Sequence, residues 1–113
     1  MPIERELMRG AGPVAVLQLL EHGEMYGYQL VEAVSRKTDG VLAMGQSTLY
    51  PLLYNLEAKG LISGTWRTSE AGRKRKYYAL TTKGAGYLGE RRKDWRELIG
   101  AMEGLGLMDP KEG

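Results

Sequence analysis

Apolar residues recur along this chain in two rhythms, one of period 3.6 and one of period 2. The clearest helical stretch holds Leu49, Leu52, Leu53 and Leu56 at i, i+3, i+4 and i+7. It predicts a helix that begins near Ser47 or Thr48, both good N-cap types, and stops at Gly60. Pro51 then falls in or next to the first turn, where a missing N–H costs little. Upstream, Val16, Leu17 and Leu20 give a buried stripe. Gly12 followed by Pro13 marks the start of that helix, and His22 and Gly23 end it. Residues 3–9 form an earlier helical turn in this reading. Between these two helices, Leu30, Val31 and Val34 predict another over Gly27–Lys37. Arg36 and Lys37 lie at the negative end of its dipole, and Thr38, Asp39 and Gly40 make a turn.

The rhythm changes after Gly60. LISGTWRT (61–68) and KRKYYAL (74–80) read as strands joined by the polar, glycine-containing SEAGR, hence a hairpin. Lys76, Tyr78 and Leu80 share one face of the second strand, and Arg75, Tyr77 and Ala79 the other. Thr81 or Thr82 can cap a last, long helix. In it Leu88, Trp95 and Met102 are seven apart, and Leu98 and Leu105 fall three after Trp95 and Met102. These are a and d positions of a heptad. Interior glycines each cost about 1 kcal/mol relative to alanine, so the helix is expected to fray after Gly104. A domain of this size leaves the helix nothing to pack on along its whole length, so a second copy of itself is the natural partner. Leu88, Trp95, Leu98, Met102 and Leu105 are the candidate dimerisation residues. The expected class is α+β, mainly α: a winged helix-turn-helix over 1–81, then a dimerisation helix and tail over 82–113.

With 113 residues, the chain has room for one compact domain plus a projecting element. Cysteine is absent and histidine occurs once, at His22, which leaves no disulfide framework and no His/Cys metal set. No phosphate-binding loop, dinucleotide fingerprint or nucleophile–base arrangement is present, so the reading is a binding protein without a cofactor, not an enzyme. The N-terminus lacks a secretory pattern, and the longest apolar run, Val14 to Leu20, is interrupted by Gln18. A soluble, cytoplasmic protein with no membrane partner is expected. Net charge is +2, but residues 36–83 hold nine Lys or Arg against three Asp or Glu, and the rest of the chain is net −4. A basic segment between acidic ends suits a polyanion, although a solvated lysine-rich surface has the same composition.

The polar side of the third helix offers Gln46, Ser47, Thr48, Tyr50, Tyr54 and Asn55, hydrogen-bonding groups suited to base edges and phosphates. Ser47 and Thr48 also lie at a helix N-terminus, where free N–H groups favour a phosphate oxygen. The alternative is that they only cap the helix while the tyrosines cover core edges. Around the hairpin loop, Arg67, Arg73, Lys74, Arg75 and Lys76 are opposed by Glu70 alone. Arg73, Lys74 and Arg75 are the best phosphate candidates, and Lys76 can instead lie along the strand surface. Two Trp95 side chains near a twofold axis could sandwich a planar aromatic effector, with Ile99 and Met8 lining the same space. Packing alone would use the same residues. A winged helix that binds protein rather than DNA is the rival reading.

The stretch STLYPLLYNLEAKGLI, a variable segment, and then RKRKYYALTTKG closely resemble the PadR family of transcriptional regulators, and MYGYQLVEAV matches that family's second helix. The similarity runs from about Leu7 to Trp95. The resemblance implies a homodimeric repressor of the short class, bound to double-stranded DNA through an inverted-repeat operator and released by small molecules. It also implies that Tyr50 and the basic residues of the wing touch DNA and that the final helix forms the dimer. Gly12 and Pro13 depart from the pattern expected inside the family's first helix.

Overall fold

In the computed structural model, which describes residues 4–109, the apolar stripes converge on one core. The elements are α1 (Arg5–Leu20), β1 (Met25–Tyr26), α2 (Gly27–Lys37), α3 (Gln46–Ala58), β2 (Ile62–Thr68), β3 (Lys74–Leu80) and α4 (Thr82–Gly104). Val16, Leu17, Leu30, Leu49, Leu53, Ile62 and Leu88 are fully or almost fully buried together. The three strands form an antiparallel sheet in the order β1-β3-β2.

Several local expectations are overturned by packing. The first helix does not start at Pro13; α1 runs unbroken from Arg5 through Gly12 and Pro13. Gly12 is buried, and a Cβ on it would lie 3.1 Å from Leu52 Cδ1, so the glycine lets α1 close onto α3. The carbonyl that loses its donor to Pro13 belongs to Arg9, an exposed residue within reach of water. Ser47 and Thr48 do not cap α3. The cap is Gly45, whose carbonyl accepts from the Thr48 and Leu49 amides at 3.1 and 2.9 Å, so both hydroxyl residues lie inside the first turn. Pro51 is thus the sixth residue of α3 rather than part of its opening turn.

β1 adds an element that the apolar pattern does not announce. Its two residues pair with β3, Met25 opposite Tyr78 and Tyr26 opposite Tyr77. The hairpin itself forms as expected, with Ile62 opposite Leu80 and Thr68 opposite Lys74 at the two ends of its register. Its loop closes through Ser69 and Arg73, with Gly72 at φ 82°. That is a left-handed conformation that glycine adopts without strain.

Thr81 caps α4, its Oγ1 accepting from the Gly84 amide at 2.9 Å and donating to the Gly60 carbonyl at 2.7 Å. Leu88 needs correcting: it is wholly buried in the protomer's own core, so it is not available as a seam residue. The heptad spacing is real, but its first position is spent on the domain that carries the helix. Arg92 is held to α1 by two bonds to Gln18 Oε1, at 3.1 and 2.9 Å, and by an ion pair with Glu21. Beyond it α4 projects, which accounts for a longest dimension of 55 Å against 30 and 21 Å. Leu98, Ile99 and Leu105 are exposed on this projecting part, Leu105 at 80%.

Candidate nucleic-acid interface

One face of α3 and the hairpin enclose a cleft of about 760 Å³. Tyr50, Tyr54 and Glu57 line it from α3; Trp66, Lys74, Arg75, Lys76 and Tyr78 line it from the strands, and Arg73 from the loop between them. The spacing of 50, 54 and 57 is one helical face, about 100° round the helix from the buried stripe of Leu49, Leu53 and Leu56. The floor is the N-terminus of α2. There the Tyr50 ring lies so close to Gly27 that a Cβ would sit 2.5 Å from its Oη. Tyr50 is thus braced from below yet 41% exposed, and Tyr54 is 73% exposed.

The basic residues differ in how far they are committed. Arg67 makes a two-pronged pair with Glu24, one contact at 2.9 Å, and lies 4.8 Å over the Tyr77 ring. Its hydrogen bond is also the main reason the Glu24 carboxyl is held below its ordinary value. Arg75 is stacked 4.4 Å over Tyr26, which meets Tyr77 edge to face at 5.5 Å. This stack leaves the guanidinium edge of Arg75 free to donate, because a cation–π contact uses the flat face. Lys76 is not a free cation: its Nζ donates to Glu57 Oε1 at 2.8 Å, and this bond raises its pKa. Arg73 and Lys74, at the exposed end of the wing, make no ion pair among the described residues.

The cleft therefore gathers Tyr50, Tyr54, Arg73, Lys74, Arg75 and Lys76. Gln46 and Ser47 are exposed on the first turn of α3 but do not line it. Thr48 faces elsewhere. It borders a second groove of about 440 Å³ with Met8, Leu52, Asn55 and Tyr87. Met8 lines this groove with Tyr87, and Trp95 lies eight residues, or about 12 Å, beyond Tyr87 along α4. Trp95 and Ile99 remain on the projecting part of α4.

Sequence reasoning missed Trp66, 65% exposed, as a cleft residue. The signal was present, since strand alternation puts it on the face of Gly64 and opposite Lys76. Tyr26, Gly27 and Tyr28 left no such signal, because the two-residue β1 is too short to show a period.

Three helices, a β-hairpin beside the third of them, and an aromatic, cationic cleft between the two define a winged-helix protein. Residues 16–90 match the model of the transcriptional regulator PadR-like family, and the chain belongs to that family. It is 36% identical over 102 residues to the transcriptional regulator Rv3488 of Mycobacterium tuberculosis, covering 90% of each chain. A transcriptional regulator from Clostridium thermocellum superposes with a TM-score of 0.80 at 28% identity, over 89% of this chain and 95% of that one. Bacillus subtilis PadR, solved in complex with operator DNA, gives a TM-score of 0.66 at 26% identity. That match covers 71% of this chain and 45% of PadR's. The family is one of transcriptional regulators, not enzymes, and no helix among the described residues is long and apolar enough to cross a membrane.

Proposed function

We propose that this chain is a sequence-specific, double-stranded-DNA-binding repressor that acts as a homodimer in the cytoplasm. The observation that carries the reading is that Tyr50 and Tyr54 of α3 share one cleft with Arg73, Lys74 and Arg75 of the wing. In this reading α3 enters the major groove, where the tyrosine hydroxyls, with Gln46 and Ser47 of its first turn, meet base edges and phosphates, while Thr48, on the other groove, is left out of the contact. The wing cations lie on the neighbouring sugar–phosphate edge and supply affinity by counterion release. The complex of Bacillus subtilis PadR with operator DNA supports DNA as the partner.

The apolar residues of the projecting helix, Trp95, Leu98, Met102 and Leu105, support a second copy as the partner. A twofold dimer reads an inverted repeat whose half-site centres are about 10 bp apart or a multiple of that. Trp95 and Ile99, brought near the twofold axis, would bind a planar aromatic effector together with Met8. The test is a gel-shift titration against a pool of randomised duplexes and against the DNA upstream of the neighbouring gene, at rising salt. Retardation that weakens steeply with salt is expected. No retardation of any duplex at low salt would remove the reading.

A further inference from the structure

Glu57 is the one carboxylate among the residues that line the cleft. A carboxylate facing a phosphate backbone opposes binding, so its position there calls for a physical reason. The reason is geometric. Glu57 Oε1 accepts from Lys76 Nζ at 2.8 Å, and Oε2 accepts from the Gly64 amide at 3.2 Å. Lys76 belongs to β3 and Gly64 to β2, so one side chain of α3 holds both strands of the wing. The absence of a side chain at Gly64 makes room for this. A Cβ there would lie 2.2 Å from Lys76 Cε and 3.0 Å from Glu57 Oε2. Tyr78 lies under the ammonium, its ring centre 5.4 Å from Nζ. The pair is about a third exposed on each side, at 28% and 32%, so water screens it less than it screens a free surface pair.

We infer that Glu57 is a specificity-determining positioning residue: it fixes the angle between α3 and the wing and withholds the Lys76 ammonium from phosphate. The inference rests on the DNA-binding reading above. Its two consequences have opposite signs, which separates it from a purely structural role. Loss of the carboxylate loosens the wing against α3, so contacts that must be made together on an operator are made less well. The same loss frees a cation for any phosphate and removes a repulsion, so binding to unrelated DNA improves.

The experiment measures, at several salt concentrations, the affinity of wild type, Glu57→Gln and Lys76→Met for two probes. One is a duplex that wild type selects from a randomised pool, and the other is a scrambled duplex of equal length. For Glu57→Gln, scrambled binding should tighten about threefold and its salt slope should steepen by up to about one, the contribution of one more phosphate contact. The ratio of selected to scrambled affinity should fall about tenfold. For Lys76→Met the ratio should fall as well, while the salt slope stays at the wild-type value. A Glu57→Gln protein with wild-type ratio and slope would overturn the inference. So would a Lys76→Met protein whose slope flattens by about one, because Lys76 would then be a phosphate contact. Far-ultraviolet circular dichroism checks that the variants fold, and Lys76→Met carries the test alone if Glu57→Gln does not. A wild-type protein that retards neither probe removes the DNA-binding reading itself, and this inference with it.

Discussion

The space that a side chain at Gly27 would fill is already occupied by the Tyr50 ring. Gly27→Ala therefore leaves the fold nearly intact, with a stability change under about 1 kcal/mol because the tyrosine can swing away. It should nonetheless weaken operator binding about tenfold through the displaced ring; fluorescence anisotropy with a labelled operator reads this, and unchanged affinity would exclude Tyr50 as a contact. The cations of the wing make a different prediction. Arg73, Lys74 and Arg75 replaced together by Ala should weaken binding to every duplex and flatten the salt slope by up to about three. A loss confined to one operator would instead mean base contacts. At this scale the sequence was legible in part. Alternation along β3 separates Arg75 from Lys76 correctly, but it cannot see Glu57, nineteen positions away, so Lys76 stayed open between a DNA contact and the strand surface. Leu88 was misassigned because core packing and a dimer seam impose the same seven-residue spacing.

Elements add effects that no single residue carries. α4 begins against the backbone of the β2 entry: a Cβ on Gly84 would lie 1.9 Å from the Leu61 carbonyl oxygen. Gly84→Ala must move a helix or a strand and should cost about 3 kcal/mol or more. Gly100 sits in the projecting half of α4 with open space around it. The same substitution there should stabilise by about 0.5–1 kcal/mol, the helix propensity of alanine over glycine. Thermal melts of the two variants should therefore shift in opposite directions, and shifts of the same sign would refute the contact at Gly84. Helix period alone placed α2, α3 and α4 because each has a leucine- or valine-rich face. It failed at the start of α1, where local rules give Gly12–Pro13 the look of a boundary. The close approach of α1 to α3 overrides those rules. β1 had no readable pattern because pairing with β3, not composition, makes it a strand.

Across the whole molecule, charge ties distant segments together. Glu24 holds Arg67 of the wing strand, and Glu21 holds Arg92 of α4; in each case the arginine's hydrogen bond keeps the carboxyl below its ordinary value of 4.5. A carboxylate lowered on folding contributes stability above its unfolded value, and that contribution is lost as pH falls through the folded one. The melting temperature should decline as pH drops below 4.5, and by less in a Glu21→Gln/Glu24→Gln variant. Identical acid profiles would show that these pairs carry no linkage. The most direct test of the central claim, that α3 and the wing form a single DNA surface, is amide hydrogen exchange with and without a selected duplex. Protection should concentrate in residues 46–57 and 66–76, with little change at the groove bordered by Met8, Leu52 and Tyr87. Protection centred on that groove, with α3 and the wing left unchanged, would contradict the account.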